Sequence, residues 1–268
     1  MSCPSCFKGI ALTETPKGTV DAELDGAYVA SGNGASNRAV IVFTDIFGLF
    51  LPNTKIFADN YAEQLGCDVY VPDLFAGKPP VQPKDMELPE RAGEKLGFLG
   101  WVKFIIHLLP YIPAMYSQRP TVTDIRVKQF LDKLQAKKAY EKLGAVGFCY
   151  GGSTVVRLGA TTDIFSTLVI CHPGKHAKEE FAAIKVPCSW GCAEDDMGFN
   201  DKIRMEAEAE FAGRRGKTNE VPYEFKVYPG TTHGFAARPN LSIPEVKDAF
   251  EGVQQQIVDW LKKTLIEI

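Results

Sequence analysis

The sequence predicts an α/β fold, with a doubly wound and mostly parallel sheet flanked by helices. Short apolar runs alternate with amphipathic helical patterns from residue 39 to the end of the chain. The clearest of these runs, residues 39–43, is apolar without alternation, as expected of a strand covered by helices on both faces. No Ser/Gly-rich linker interrupts the pattern, and 45% of the 268 residues are hydrophobic. We therefore expect one domain over residues 1–268 with a substantial core.

The elements follow in chain order. Loose alternation around Gly26 predicts an N-terminal hairpin within residues 19–31. Further strands are predicted over residues 39–43, 68–72, 143–148, 167–171, 184–190 and 223–228, and helices over residues 53–65, 121–138, 152–160, 201–213 and 244–266. The helix at 121–138 is expected to bury a stripe made of Val122, Ile125, Leu131 and Leu134.

Residues 95–118 are unusually apolar and are interrupted by Pro110 and Pro113. Three interpretations stay open: a core helix, an apolar lid over a binding site, or a segment that lies on a membrane surface. The stretch is too short and too interrupted for us to expect a span of the bilayer. If it is a lid, Trp101 is a candidate for contact with a bound molecule, because pockets are lined mainly by apolar and aromatic groups.

A cysteine stands where the predicted strand at residues 143–148 turns into a helix. Cys149 follows an apolar run and lies between Gly147 and Gly151. This is the pattern of a nucleophile elbow with sulfur in place of oxygen, and the glycines allow strand and helix to approach closely. The turn also places the Tyr150 backbone N–H beside the sulfur. The alternative is a buried structural cysteine, because free Cys packs as a small hydrophobe.

Acidic and basic partners for Cys149 follow it in the chain. Asp195 and Asp196 come after one predicted strand, and His233 comes after the next. Nucleophile, acid and histidine in this order are typical of α/β-hydrolases. A free thiol has a pKa of about 8.5, so it needs a base such as His233, which a carboxylate would orient. His172 also follows a strand and is predicted to lie in the pocket, although it precedes the acid and is not the expected base.

Four separated motifs resemble the dienelactone hydrolase family, in its eukaryotic, fungal-type branch. They are Asp45-Ile46-Phe47-Gly48, Pro72-Asp73-Leu74-Phe75, Gly147-Phe148-Cys149-Tyr150-Gly151-Gly152 and His233-Gly234-Phe235-Ala236. The resemblance runs from about residue 39 to the C-terminus. It implies an α/β-hydrolase fold and a Cys-His-Asp triad that cleaves a small activated ester or lactone through a thioester intermediate.

The resemblance also assigns roles to individual residues. It implies that the backbone N–H of Ile46 completes an oxyanion hole with that of Tyr150. The spacing to Phe199 favours Asp196 as the triad acid, with Asp195 as the fallback. Asp45 stands where the bacterial enzymes carry a glutamate that interacts with the nucleophile, although an ordinary loop aspartate is the alternative.

The expected substrate differs from that of the bacterial enzymes. Gly77 replaces an arginine that binds the substrate carboxylate in those enzymes, so one carboxylate contact is missing. Arg238 is predicted to supply another, unless it is a solvated loop residue. We therefore expect a compact, activated ester or lactone with an apolar or aromatic body. A broader carboxylesterase or thioesterase is an alternative, as is a non-catalytic thiol-reactive protein for binding or redox sensing.

Composition limits the possible partners and compartments. The net charge of −3 argues against general nucleic-acid binding. Seven cysteines without a framework spacing predict reduced thiols and a cytoplasmic location, and the N-terminus has no secretory-signal pattern. The pair Cys3 and Cys6 is expected to belong to a flexible terminus rather than to a metal site. We expect no metal, no cofactor and no stable membrane insertion, and either a monomer or a homodimer.

Overall fold

The computed structural model describes residues 11–32, 36–82 and 88–267, which contain one eight-stranded sheet. The strands are β1 (Thr19–Asp21), β2 (Ala27–Ala30), β3 (Arg38–Phe43), β4 (Asp68–Val71), β5 (Lys142–Phe148), β6 (Thr167–Cys171), β7 (Cys188–Asp195) and β8 (Tyr223–Thr232). Their order across the sheet is β1-β2-β4-β3-β5-β6-β7-β8. The first two strands form the predicted hairpin and pair antiparallel, whereas the other six are parallel to one another.

Helices connect the parallel strands. They are α1 (Asn53–Leu65), α2 (Phe98–Leu108), α3 (Ile112–Ser117), α4 (Pro120–Lys137), α5 (Tyr150–Thr161), α6 (Lys178–Ala183), α7 (Asp201–Ala212) and α8 (Pro244–Leu261). A 3-10 turn joins α2 to α3, and a π-helical turn at Lys262–Ile266 follows α8. The predicted α/β fold with a mostly parallel sheet is therefore confirmed.

The core lies on both faces of the sheet. Along β3, Ile41 and Phe43 pack with the helices α4 to α7, whereas Val40 and Val42 pack with α1 and α8. Successive side chains of a strand point to opposite faces, so a strand covered on both sides must be apolar throughout. The continuous apolar run at residues 39–43 has this cause.

The buried stripe of α4 differs from the predicted one. Ile125 is 59% exposed, and the helix instead buries a face that includes Val127, Phe130 and Leu134. At 3.6 residues per turn, Ile125 is rotated by about 200° from Val127, so the two cannot share one face. The prediction for Ile125 is wrong because it followed hydrophobicity at that position rather than the helical period.

Residues Phe98–Ser117, from the start of α2 to the end of α3, form one helical segment, which we call the α2–α3 segment. By length and composition alone its 20 residues could cross a membrane, and none of them is buried. The core-helix interpretation is therefore wrong, and so is the expectation that the stretch is too short for a span. Pro110 and Pro113 do not break it, because each lies at the beginning of a new helical turn, where no N–H is needed.

Both ends of the α2–α3 segment are attached to the carboxyl edge of the sheet. Before it, the Ala92 N–H donates to the Gly230 carbonyl, and the Thr232 hydroxyl donates to the Pro89 carbonyl. After it, the side-chain amide of Gln118 donates to two backbone carbonyls of the loop that follows β4. The segment is thus a surface insertion above the end of the sheet where the predicted site residues lie.

Candidate active site

The elbow at Cys149 depends on the glycines around it. Cys149 has φ 52° and ψ −109°, a conformation that non-glycine residues rarely adopt. A Cβ at Gly147 would lie 2.2 Å from the Gly151 carbonyl oxygen, and a Cβ at Gly151 would lie 2.2 Å from that of Phe43. Only glycine permits these approaches, so the strand can turn directly into α5 and present the Cys149 sulfur at the sheet edge.

Cys149, His233 and Asp196 lie in one hydrogen-bonded series. The Nε2 atom of His233 is 3.1 Å from the Cys149 sulfur. The Nδ1 atom of His233 is 2.9 and 3.0 Å from the two carboxylate oxygens of Asp196. That carboxylate also accepts the backbone N–H groups of Gly198 and Phe199, at 2.7 and 3.0 Å. The aspartate is therefore held rigidly, and its contact fixes the plane of the imidazole.

The two neighbouring aspartates have different environments. Asp196 is buried against His233, whereas Asp195 is exposed at the end of β7. The register of β7 with β8 shifts between Ala193 and Asp195. Such an irregularity re-aims side chains at the end of a strand. Asp196 therefore contacts the imidazole and Asp195 does not.

Burial and charge act against each other on the titration of this pair. Burial disfavours the charged form of His233, but attraction to Cys149 and to Asp196 outweighs it and raises the pKa of His233 well above its ordinary value. Burial also opposes ionisation of Asp196, yet the nearby His233 lowers the pKa of its carboxyl. Contact with the Asp196 carboxylate thus stabilises the imidazolium that forms when His233 accepts a proton.

The backbone N–H groups of Ile46 and Tyr150 both lie at the carboxyl edge of the sheet, as Cys149 does. Ile46 lies in the loop after β3, and Tyr150 is the first residue of α5. Among the described residues, neither N–H donates to a protein acceptor. Free donors at a helix N-terminus and in an adjacent loop suit an anion. The position of this α5 end is fixed by the Tyr150 hydroxyl, which donates to the Gln118 carbonyl at 2.8 Å.

Asp45 and Arg238, which were predicted separately as site residues, form an ion pair with each other. The Nε atom of Arg238 lies 2.9 Å from Asp45 Oδ2, and the guanidinium covers the Phe47 ring. Burial raises the pKa of Asp45, and the charge of Arg238 opposes this. Arg238 is therefore not the solvated loop arginine of the alternative interpretation, and a substrate carboxylate would have to compete with Asp45 for it.

His172 lies behind His233 rather than on the pocket wall. Its ring is fully buried and meets the His233 ring edge to face, with centroids 5.0 Å apart. Burial lowers the pKa of His172 well below its ordinary value, so the ring stays neutral. The predicted pocket position of His172 is wrong, because the ring is fully buried and does not line the cavity beside His233.

A cavity of about 250 Å³ opens beside His233. Trp101 lines it, as the lid interpretation expected, together with residues of the preceding loop and of the β7 and β8 ends: Leu88, Pro89, Glu94, Lys95, Leu96, Asp195, Met197 and Thr232. Leu88, Leu96 and Met197 were not singled out as site residues from the sequence. Only Met197 had a recognisable signal, since it directly follows the two candidate acids.

Residues 11–32, 36–82 and 88–267 contain no cluster of His, Cys, Asp or Glu that could hold a metal ion. In the same ranges, every cysteine is a free thiol, and burial raises the pKa of Cys67 and Cys188 to about 12. The Cys3 and Cys6 pair lies outside the described residues.

Comparison with known sequences identifies relatives over nearly the whole chain. The sequence model of the dienelactone hydrolase family matches residues 26–265. The Hydrolase tropI of Talaromyces stipitatus is 29% identical over 271 residues, which cover 98% of this chain and 96% of the relative. The human carboxymethylenebutenolidase homolog is 27% identical over 238 residues, with 88% and 86% covered.

Solved structures share the fold. A dienelactone hydrolase-like promiscuous phosphotriesterase from metagenomic libraries superposes with a TM-score of 0.60 at 20% identity, covering 89% of this chain and 92% of that one. A Klebsiella pneumoniae protein named as a putative dienelactone hydrolase gives a TM-score of 0.59 at 16% identity, with 88% and 92% covered. At these identities the likeness extends to the fold alone.

Proposed function

This chain belongs to the dienelactone hydrolase family and is a carboxylic ester hydrolase, and we propose that it works through a Cys149-His233-Asp196 triad. One observation carries the proposal: a single imidazole lies 3.1 Å from the sulfur through Nε2 and 2.9 Å from the carboxylate through Nδ1. This is the arrangement in which a base can take a nucleophile's proton while an acid holds the ring in the required tautomer.

In the first half of the reaction, Cys149 transfers its proton to His233 Nε2, and the thiolate attacks the carbonyl carbon of the ester or lactone. The negative oxygen of the tetrahedral intermediate accepts the N–H groups of Ile46 and Tyr150. Each such donor is worth roughly 3 kcal/mol in the transition state. The C–O bond then breaks, and the leaving oxygen takes the proton from His233, which leaves a thioester on Cys149.

In the second half, His233 takes a proton from a water molecule, whose oxygen attacks the thioester carbon. The C–S bond breaks, the acid is released, and the proton returns to the sulfur through His233. Throughout, the Asp196 carboxylate stabilises the imidazolium. An amine is a poorer leaving group than a thiolate, so the tetrahedral adduct of an amide would revert, whereas an activated ester would proceed.

The cavity supports a neutral, apolar substrate. Much of its wall is apolar and is formed by Leu88, Leu96 and Trp101. The carboxylates of Glu94 and Asp195, which also line it, disfavour a negatively charged group on the substrate. Among the described residues of the wall, Lys95 is the one lysine or arginine. We therefore propose an activated ester or lactone with an apolar or aromatic body. The apolar wall also favours the alternative of a broader carboxylesterase or thioesterase over an enzyme that acts strictly on anionic lactones.

The free thiols of the described cysteines support our proposal that the protein works in a reducing compartment, the cytoplasm being the expected one. In such a compartment a nucleophilic sulfur stays available between turnovers, because it is not consumed by disulfide formation.

The mechanism can be tested with Cys149→Ala, assayed on aryl acetates and simple lactones. We expect wild-type circular dichroism with turnover reduced to the uncatalysed rate, and an acyl adduct on Cys149 in acid-quenched wild type by intact-mass analysis. Cys188→Ala is the matched control, since Cys188 is buried in β7 away from the site, and it should keep full turnover. Turnover that persists in Cys149→Ala would rule out the covalent mechanism. Labelling of Cys149 without any turnover in wild type would support a non-catalytic thiol-reactive protein.

A further inference from the structure

The α2–α3 segment has one face toward the protein and a wide apolar face toward solvent. Its partly buried residues recur at helical spacing: Gly100, Phe104, Leu108, Tyr111 and Met115. The opposite face carries Phe98, Leu99, Val102, Ile105, Ile106, Leu109, Ile112 and Tyr116, of which Phe98 and Leu99 are about four-fifths exposed, at 81% and 79%. A contiguous apolar surface of this kind on a soluble protein marks an interaction site.

The charges around this face indicate what covers it. Between Glu94 and Asp124 the sequence contains no acidic residue, whereas Lys95, Lys103 and Arg119 are basic, in a chain whose net charge is −3. An apolar helix face with an aromatic residue and basic flanks is the pattern of a helix that lies in the interface of an anionic bilayer. A second copy of the chain fits less well, because a symmetric contact would bring the same basic flanks together.

The attachment of the segment favours a position on the membrane surface over a span. Its N-terminal approach is hydrogen-bonded to the β8 end through Ala92 and Thr232, and Gln118 binds the loop after β4 at its other end. Both ends are therefore held at one edge of the same sheet. A helix that crossed the roughly 30 Å hydrocarbon layer would need its ends on opposite sides of the bilayer.

We propose that the exposed face of the α2–α3 segment binds the surface of an anionic phospholipid bilayer, and that the enzyme draws its substrate, an apolar ester, from that surface. The second part rests on the proposed function. Trp101 connects the two, because it belongs to α2 and also lines the cavity beside His233. An ester dissolved among the lipid chains would thus enter the cavity beside His233 along a largely apolar path.

Tryptophan fluorescence gives a direct measurement of this binding. The chain has three tryptophans, and Trp101 is 39% exposed while Trp190 and Trp260 are 0% and 5% exposed. Vesicles of phosphatidylcholine with phosphatidylserine should shift the emission to shorter wavelength, and brominated lipids should quench it. Both changes should disappear in Trp101→Phe, because the two buried tryptophans do not meet lipid. Unchanged wild-type emission, with the protein left in the supernatant after vesicle sedimentation, would overturn the proposal.

Matched variants separate the apolar and the electrostatic contributions. Leu99→Ser/Ile106→Ser should lower vesicle partitioning at least tenfold, since each buried side chain of this size is worth roughly a factor of ten or more. Val20→Ser removes an apolar side chain of similar exposure from β1, the terminal strand of the sheet, and should change nothing. Arg119→Gln should lower partitioning roughly fivefold on anionic vesicles and have no effect on phosphatidylcholine alone.

Two assays test membrane binding and the uptake of substrate from the bilayer separately. With a water-soluble aryl ester, Leu99→Ser/Ile106→Ser should equal wild type, whereas with an apolar ester dissolved in anionic vesicles it should be at least tenfold slower. Vesicle binding is also measured in Cys149→Ala, so a failure of the proposed chemistry would leave the binding result intact. A dimer in sedimentation velocity that the double variant disperses, without vesicle binding, would show that a second copy covers the face and would overturn the proposal.

Discussion

Asp196→Asn should lower turnover far more than Asp195→Asn. In wild type the Asp196 carboxylate accepts three N–H groups, from Gly198, Phe199 and His233. An asparagine oxygen can keep the two backbone contacts, which turns its NH₂ group toward His233 Nδ1. Nδ1 must then accept, so the imidazole proton moves to Nε2, 3.1 Å from the Cys149 sulfur, and the base is lost.

The expected loss follows from that tautomer change. A histidine held in the wrong tautomer lowers turnover by about 10³–10⁴-fold, or roughly 4–5.5 kcal/mol. Asp195→Asn should change turnover no more than a few-fold, because the exposed Asp195 has no contact with the imidazole. Turnover on an aryl ester is the assay, and the nitrogen chemical shifts of His233 report the tautomer directly. A larger loss in Asp195→Asn, or an unchanged tautomer in Asp196→Asn, would refute the assignment.

The same pair also affects stability in a pH-dependent way. The pKa of His233 is raised in the folded protein, so protonation of its ring adds to the free energy of unfolding. This stabilisation is full at pH values below the ordinary pKa of about 6.5 and is lost as the pH rises through the folded pKa. The pKa of Asp196 is lowered in the folded protein, so its ionised carboxylate also adds to the free energy of unfolding. This stabilisation is present at pH values above the ordinary pKa of about 3.9 and is lost as the pH falls through the folded pKa. Asp196→Asn should therefore destabilise the protein most between these limits, which urea unfolding at several pH values can measure.

Two further predictions concern the residues that surround the elbow. Gly151→Ala places a Cβ 2.2 Å from the Phe43 carbonyl oxygen and should lower the free energy of unfolding by about 3 kcal/mol or more, whereas Gly97→Ala has no atom within 4 Å of its new Cβ and should be nearly neutral in thermal unfolding. Arg238→Gln leaves Asp45 buried without its countercharge and should cost about 3–5 kcal/mol in urea unfolding. The lost stability should increase as the pH rises above about 4, because unfolding then lets Asp45 ionise in water. Adding Asp45→Asn to Arg238→Gln should recover most of the lost stability. An equal loss at all pH values would mean that Arg238 stabilises the loop by packing alone.

The fold and the order of the chemical groups along the chain could be predicted from the sequence alone. Strands covered on both faces must be apolar at every position, so the run at residues 39–43 could be recognised without a structure. The glycines beside Cys149 were equally informative, because a Cβ at Gly147 or Gly151 would overlap backbone atoms. Constraints of this kind act over a few residues and therefore leave a local pattern in the sequence.

The contacts between side chains that are distant in the sequence depend on the tertiary structure. Neighbouring residues of a strand point to opposite faces, and the irregularity at the end of β7 sets which of Asp195 and Asp196 meets His233. The sequence separates Asp45 from Arg238 by most of the chain, so their contact could not be read from spacing. The apolar pattern of residues 98–117 fits a core helix as well as a surface one. Its exposure depends on which other elements cover it, and that is a property of the assembled fold alone.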